Sequence, residues 1–139
     1  MHAGEIDVLA WSWGLANAGS SQPGTAGKVN VQDLSFTKWV DKASPKLMLG
    51  VCNGKHFPEA VLTLRKAGDR PFEFLKITLS EVVVSSVSTG GSGGEDRLTE
   101  NVTLRFSKVK VEYTVQKPDG TKGEVVTFGW DLAGNVALP

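Results

Sequence analysis

Two histidines, one cysteine and a loose cluster of carboxylates are the residues that chemistry would have to use in this 139-residue chain. His2 stands at the start and His56 follows the helical segment; neither has a partner at metal-ligand spacing. Cys52 lies among apolar residues, and no histidine follows at a spacing that would make it a nucleophile, so it reads as a packed core cysteine. Glu95, Asp96 and Glu100 are close in sequence, but Arg97 sits among them in glycine-rich surroundings, which predicts a solvated acidic turn. Gly90 to Gly94 lack a following Gly-Lys-Ser/Thr and a helix, so they predict a flexible hairpin loop rather than a phosphate cradle. Asn101-Val102-Thr103 matches a glycosylation sequon; with no signal peptide at Met1 to Glu5, it is a chance match on a strand. No catalytic set converges, and no enzyme activity, metal or cofactor is expected.

The four tryptophans offer a second kind of chemistry. Trp11, Trp13, Trp39 and Trp130 could line a sugar-binding face if exposed, or pack in a core or interface. Trp11 and Trp13 share one side of a strand by its period of two, which leaves Ser12 on the other. Large aromatics opposite a small hydroxyl suggest a wall with an apolar side and a wet side.

Composition bounds the rest. Fifteen basic and fifteen acidic residues give no net charge, which argues against nucleic-acid binding and electrostatic membrane anchoring and does little to keep copies apart. No apolar run reaches the roughly 18–20 residues of a membrane helix. One cysteine forbids an intrachain disulfide and suits a chain made in a reducing cytosol. The length fits one domain, residues 1–139, with a sound core.

The elements that must position these residues are mostly strands. EIDVLAWSW (5–13) is a strand ended by Gly14, and the small polar residues 17–27 form a long loop. Val29, Val31, Leu34 and Phe36 alternate with a phase slip at Gln32-Asp33, which reads as a bulge. A helix over Pro45 to Asn53 follows, with Ser44 as N-cap, Gly54 as left-handed stop, and Leu47, Met48, Val51 and Cys52 turned inward. Strands resume at Glu59 to Arg65. The run from Phe72 to Val87 is too long for one ordinary strand and should bend. Val102, Leu104 and Phe106 then change phase to Val109, Val111, Tyr113 and Val115, which places a kink at Ser107-Lys108. Pro118-Asp119-Gly120 turns the chain into a last strand, Glu124 to Trp130. The fold class is all-β, a barrel or sandwich.

The stretches GEIDVLAWSWG (4–14), GKVNVQDLSFTKWVDKASPKL (27–47), Gly54-Lys55-His56, LTLRKAG (62–68), SEVVVSSVSTGGSGGEDRLTENVTL (80–104), Pro118-Asp119-Gly120 and Gly129-Trp130-Asp131 span nearly the whole chain in order. Through them it resembles the haemolysin-coregulated protein family, the tube proteins of type VI secretion. The resemblance implies a two-sheet β-barrel with one short flanking α-helix, hexameric rings that stack into a tube, and expulsion by a contracting sheath. It implies as partners the chain itself, the spike protein, the sheath and effector proteins held in the ring, with no nucleic acid and no membrane insertion. It places the chain in the bacterial cytoplasm before firing and outside the cell or in a target cell afterwards.

By position, Ser12 resembles a lumen-facing residue that cargo touches. The loop from Ala16 to Gly27, with Asn17, Ser20, Gln22 and Thr25, resembles the loop that reaches towards the next ring. Family members normally begin with an apolar strand of the type Met-Phe-Ile-Lys-Ile and a turn ahead of the stretch matching Glu5, whereas Met1-His2-Ala3-Gly4 precedes it here. A domain short of that strand and turn, roughly 15–20 residues, is therefore expected, with an altered barrel edge beside Glu5 to Trp13. The alternatives are a β-sandwich carbohydrate-binding module, which needs exposed tryptophans, and a small hydrolase with unrecognised carboxylates.

Overall fold

The computed structural model describes residues 5–17, 29–67, 72–94 and 96–139. Among these described residues, ten strands and one short helix make the fold all-β. Two compact units divide it, Met1–His56 with Val83–Arg105, and Phe57–Val82 with Phe106–Pro139.

In the first unit, β1 (Ala10–Ser12) pairs with β4 (Leu34–Trp39), and β4 pairs with β7 (Thr99–Arg105). Strand β7 pairs in turn with the Val83–Gly90 part of the long strand β6 (Phe72–Gly90). All these pairings are antiparallel. A separate two-stranded ladder joins β2 (Leu15–Asn17) to β3 (Val29–Val31). The slip at Gln32-Asp33 is thus a change of partner: β3 serves β2, and β4 serves β1 and β7. Gln32 N–H donates to the Gly14 carbonyl at that corner.

The strand expected over Glu5 to Trp13 is shorter. Only Ala10–Ser12 finds a register on β4, preceded by one bond from Leu9 N–H to the Thr37 carbonyl. Nor does Gly14 end the run, since Leu15–Asn17 resumes against a different partner. A β-rich sequence becomes strand only where a neighbour supplies backbone partners.

Helix α1 runs over Ser44–Asn53, and Gly54 closes it with φ 65°, its N–H on the Gly50 carbonyl. Ser44 is not the cap. Ala43 takes that place without a side-chain bond, because the Ser44 hydroxyl accepts from Asp41 N–H instead. Of the apolar residues expected to turn inward only Leu47 is half-buried: Ser44 and Gly50 are the helix's buried positions, while Met48, Leu49, Val51 and Cys52 are exposed.

In the second unit, the Leu75–Ser80 part of β6 pairs with β8 (Lys108–Gln116), β8 with β9 (Lys122–Asp131), and β9 with β10 (Val136–Ala137); β5 (His56–Lys66) pairs with β6. The strand ending near Trp130 is therefore not the last, because Asn135 takes φ 54° in the turn that returns β10 onto it. Ile77, Leu79, Val82, Phe106 and Val109 are buried. The expected bend in the long strand comes at two places. Glu81 has φ 56°, a conformation few non-glycine residues adopt, and its carboxylate accepts from the Ser107 hydroxyl. Ser85 then bulges between Val84 and Ser86. The phase change near Ser107 is a break between β7 and β8, where Ser107 N–H donates to the Ser80 carbonyl and its own carbonyl accepts from Leu132 N–H. At the β8–β9 turn Gly120 has φ 90°, and the Asp119 carboxylate accepts from the Thr121 N–H and hydroxyl.

Candidate functional site

Ser12 is exposed at the end of β1 and opens a row of hydroxyls running across four strands. It faces Ser35, which faces Thr103, which faces Ser86. Directly opposed residues share a face, so these four side chains stand on one side of the ladder. The next row on that side is Ala10, Thr37, Asn101 and Ser88. Ser35 Oγ and Thr103 Oγ1 are hydrogen-bonded at 3.2 Å, and the Thr37 hydroxyl donates to Asn101 Oδ1 at 2.6 Å. The bulged Ser85 hydroxyl lies 3.0 Å from an Asp33 carboxylate oxygen and 3.1 Å from the Thr103 carbonyl. The two rows carry no charge and no side chain larger than asparagine.

At the far end of this face Trp39 pairs with Thr99, and the Arg97 guanidinium lies 4.1 Å above the Trp39 ring. Arg105 and Asp33 form a loose pair at 3.8 Å with the arginine mostly exposed, a contact worth little.

The opposite side of the same ladder has Leu34, Val84 and Val102 buried, together with two charged residues, Lys38 and Glu100, at 0% and 1% exposure. Lys38 Nζ donates to the Trp39 carbonyl at 2.8 Å and to Asp41 Oδ1 at 2.9 Å. It reaches Ser44 Oγ and Glu100 Oε1 at 3.4 Å each. Glu100 is thus not part of a solvated acidic turn; the strand register sets it opposite Lys38. Its second oxygen, Oε2, is buried with no hydrogen-bond partner. The Lys38 hydrogen bond, helped by Ala43 N–H and opposed by burial, holds the Asp41 carboxyl below its ordinary range. The Thr121 bonds do the same for Asp119.

Cys52 is exposed on the last turn of α1, not packed in a core, because the helix face that carries it points away from the buried side. His56 is exposed at the head of β5. Among the described residues no three His, Cys, Asp or Glu side chains come together as metal ligands. A shallow open depression of about 410 Å³ in the second unit is lined by Thr63, Phe72, Lys76, Glu112, Thr114 and Val125 among others. Of the ring-stacking candidates, Asn17 is exposed on β2 opposite Val29; Ser20, Gln22 and Thr25 lie outside the described residues.

The tryptophans do not form an open platform. The indole N–H groups of Trp13 and Trp130 are buried, Trp39 is covered by Arg97, and Trp11 is about one-third exposed. Exposed apolar side chains gather elsewhere, at Met48, Leu49 and Val51 on α1, and at Tyr113, Val126 and Phe128 on β8 and β9.

Of the hydroxyl face, sequence reasoning found Ser12 and missed Ser35, Thr37, Ser86, Ser88, Asn101 and Thr103. A signal was present, since each of the three pairs is spaced by two. What joins the pairs is the register, which no local pattern states.

Residues 1–113 match the family model described as "Type VI secretion system effector, Hcp". The chain is 62% identical over 140 aligned positions to protein hcp1 of Pseudomonas aeruginosa, covering 97% of this chain and 86% of that protein. A solved type six secretion system protein superposes with a TM-score of 0.85 at 32% identity, covering 94% of this chain and 85% of that one. Hcp1 from Salmonella typhimurium does so with a TM-score of 0.80 at 40% identity, covering 96% and 84%. The chain belongs to the Hcp family, and the expectation of a type VI secretion tube protein stands.

Proposed function

We propose that the whole chain, residues 1–139, acts as one non-enzymatic tube subunit: six copies form a ring, rings stack, and the hydroxyl face of β1, β4, β7 and β6 lines the channel. The observation that carries this reading is that face. Its middle rows are short uncharged side chains, two pairs of them hydrogen-bonded, and these rows present no apolar patch and no field that would hold a passing protein fast. Ser12, exposed at its margin, touches effector cargo held in the ring. Asn17, Ser20, Gln22 and Thr25 meet the adjacent ring.

A ring closed by rotation joins two different surfaces, one on each neighbour. Among the described residues, exposed apolar side chains stand on two such separate surfaces, at Met48, Leu49 and Val51 on α1 and at Tyr113, Val126 and Phe128 on β8 and β9. With zero net charge there is no net electrostatic repulsion to keep the copies apart. Partners beyond the chain itself are the spike protein, the sheath and effectors, met first in the cytoplasm and then during export.

The native thiol tests the ring contact directly. Cys52 is the single cysteine and is exposed beside the α1 patch. Its labelling by a maleimide should slow as rings form with rising concentration. Equal labelling in rings and monomers would remove α1 from the contact.

A further inference from the structure

Helix α1 is poorly anchored by apolar packing. Its buried residues are Ser44 and Gly50, neither of which brings a large apolar side chain; Leu47 is half-buried, and the larger Met48, Leu49 and Val51 are exposed. It has no side-chain N-cap bond and no acidic residue in its first turn. Something else must fix where it starts.

We infer that Lys38 is a positioning residue that seats the start of α1 on the sheet, with Glu100 as its buried counter-ion and Asp41 and Ser44 as its grip on the helix. This rests on the proposed role of the α1 surface in joining copies of the chain. The ammonium has three protons and four acceptors within reach. Its two short bonds go to the turn, at the Trp39 carbonyl and Asp41; its two long ones go to Ser44 and Glu100. The Asp41 carboxylate passes the constraint on by accepting from Ala43 N–H at 2.9 Å, and the Asp41 backbone does so through Ser44, giving N–H to its hydroxyl and accepting its N–H, both at 3.0 Å. A continuous polar chain thus runs from β7 through β4 to the first residues of α1.

The pair is not there for stability. Two charges buried at 3.4 Å, one with an oxygen that no donor reaches, are a costly way to fill this space, and apolar residues of similar volume would hold the sheet as well. What they supply is a location for the helix.

The test replaces the pair together, Lys38→Met with Glu100→Leu, and reads two quantities. Amide exchange at Ala43, Ser44 and Leu47 should rise about tenfold or more while that of Leu34 and Val102 stays unchanged. The ring fraction at matched concentration should fall about tenfold. Unchanged exchange at Ala43, Ser44 and Leu47 overturns the inference. If the parent chain forms no rings, the proposed function fails on its own while the exchange measurement still decides the positioning role. Should the double variant not fold, Asp41→Asn decides: it loosens the grip while sparing the buried pair, and about threefold faster exchange at Ala43, Ser44 and Leu47 is expected. No change there overturns the inference equally.

Discussion

The two faces of the β1–β4–β7–β6 ladder alternate residue by residue along the same strands yet follow opposite rules. One buries Leu34, Val84, Val102 and an ion pair. The other carries Ser12, Ser35, Thr103, Ser86 and their neighbours, with Ser35 bonded to Thr103 and Thr37 to Asn101 across the strands. Position decides the chemistry of the first face, since whatever is buried must fit and be paired. The middle rows of the second leave out charge and bulk, which return only at its ends, in Arg97 over Trp39 and in the Arg105–Asp33 pair.

Substitutions can break that contrast, and the expected effects run from large to negligible. Replacing Lys38 alone by methionine strands Glu100 as an uncompensated buried carboxylate and should cost about 3–5 kcal/mol in urea denaturation. A loss under about 1 kcal/mol would mean that water, not Lys38, satisfies Glu100. Leu34→Ala, also on the buried face, should cost about 2–5 kcal/mol by the same measurement. On the open face the paired hydroxyls contribute less: Ser35→Ala should lose about 0.5–1 kcal/mol, and combining it with Thr103→Val should cost no more than the sum.

Acid sharpens the comparison further. The carboxyls of Asp41 and Asp119 are held below their ordinary 3.8 in the folded chain, so their stabilisation is present above that value and disappears as pH falls through the folded values. The stability margin of the parent over Asp41→Asn should therefore be full at pH 6 and shrink below about 3.8. The smallest stability effect belongs to Ser12→Arg, within about 0.5 kcal/mol of the parent, because the side chain is exposed. Rings should survive that change while cargo retention fails. Collapse of the rings would make Ser12 structural.

The sequence made some of this legible and hid the rest for physical reasons. Pro45 and Gly54 bracket the helix because fixed φ and the left-handed stop are local properties. The phase slips at Gln32-Asp33 and near Ser107 located the breaks because a side-chain period of two cannot change without an extra residue. Glu100 was misread because its neighbours in sequence are acidic and glycine-rich, whereas the lysine it meets is 62 residues away. Cys52 and the apolar residues of α1 were misread because helical periodicity says that a stripe exists, not whether this chain or another copy covers it. The hydroxyl pairs were visible as alternation, but only the register lines them up.

The most direct test of the account is the native mass of the assembled particle, by native mass spectrometry with negative-stain microscopy as its image. The account predicts a ring of six copies of the 14.8 kDa chain with an open centre. A monomer at every concentration at which the chain stays soluble would contradict it.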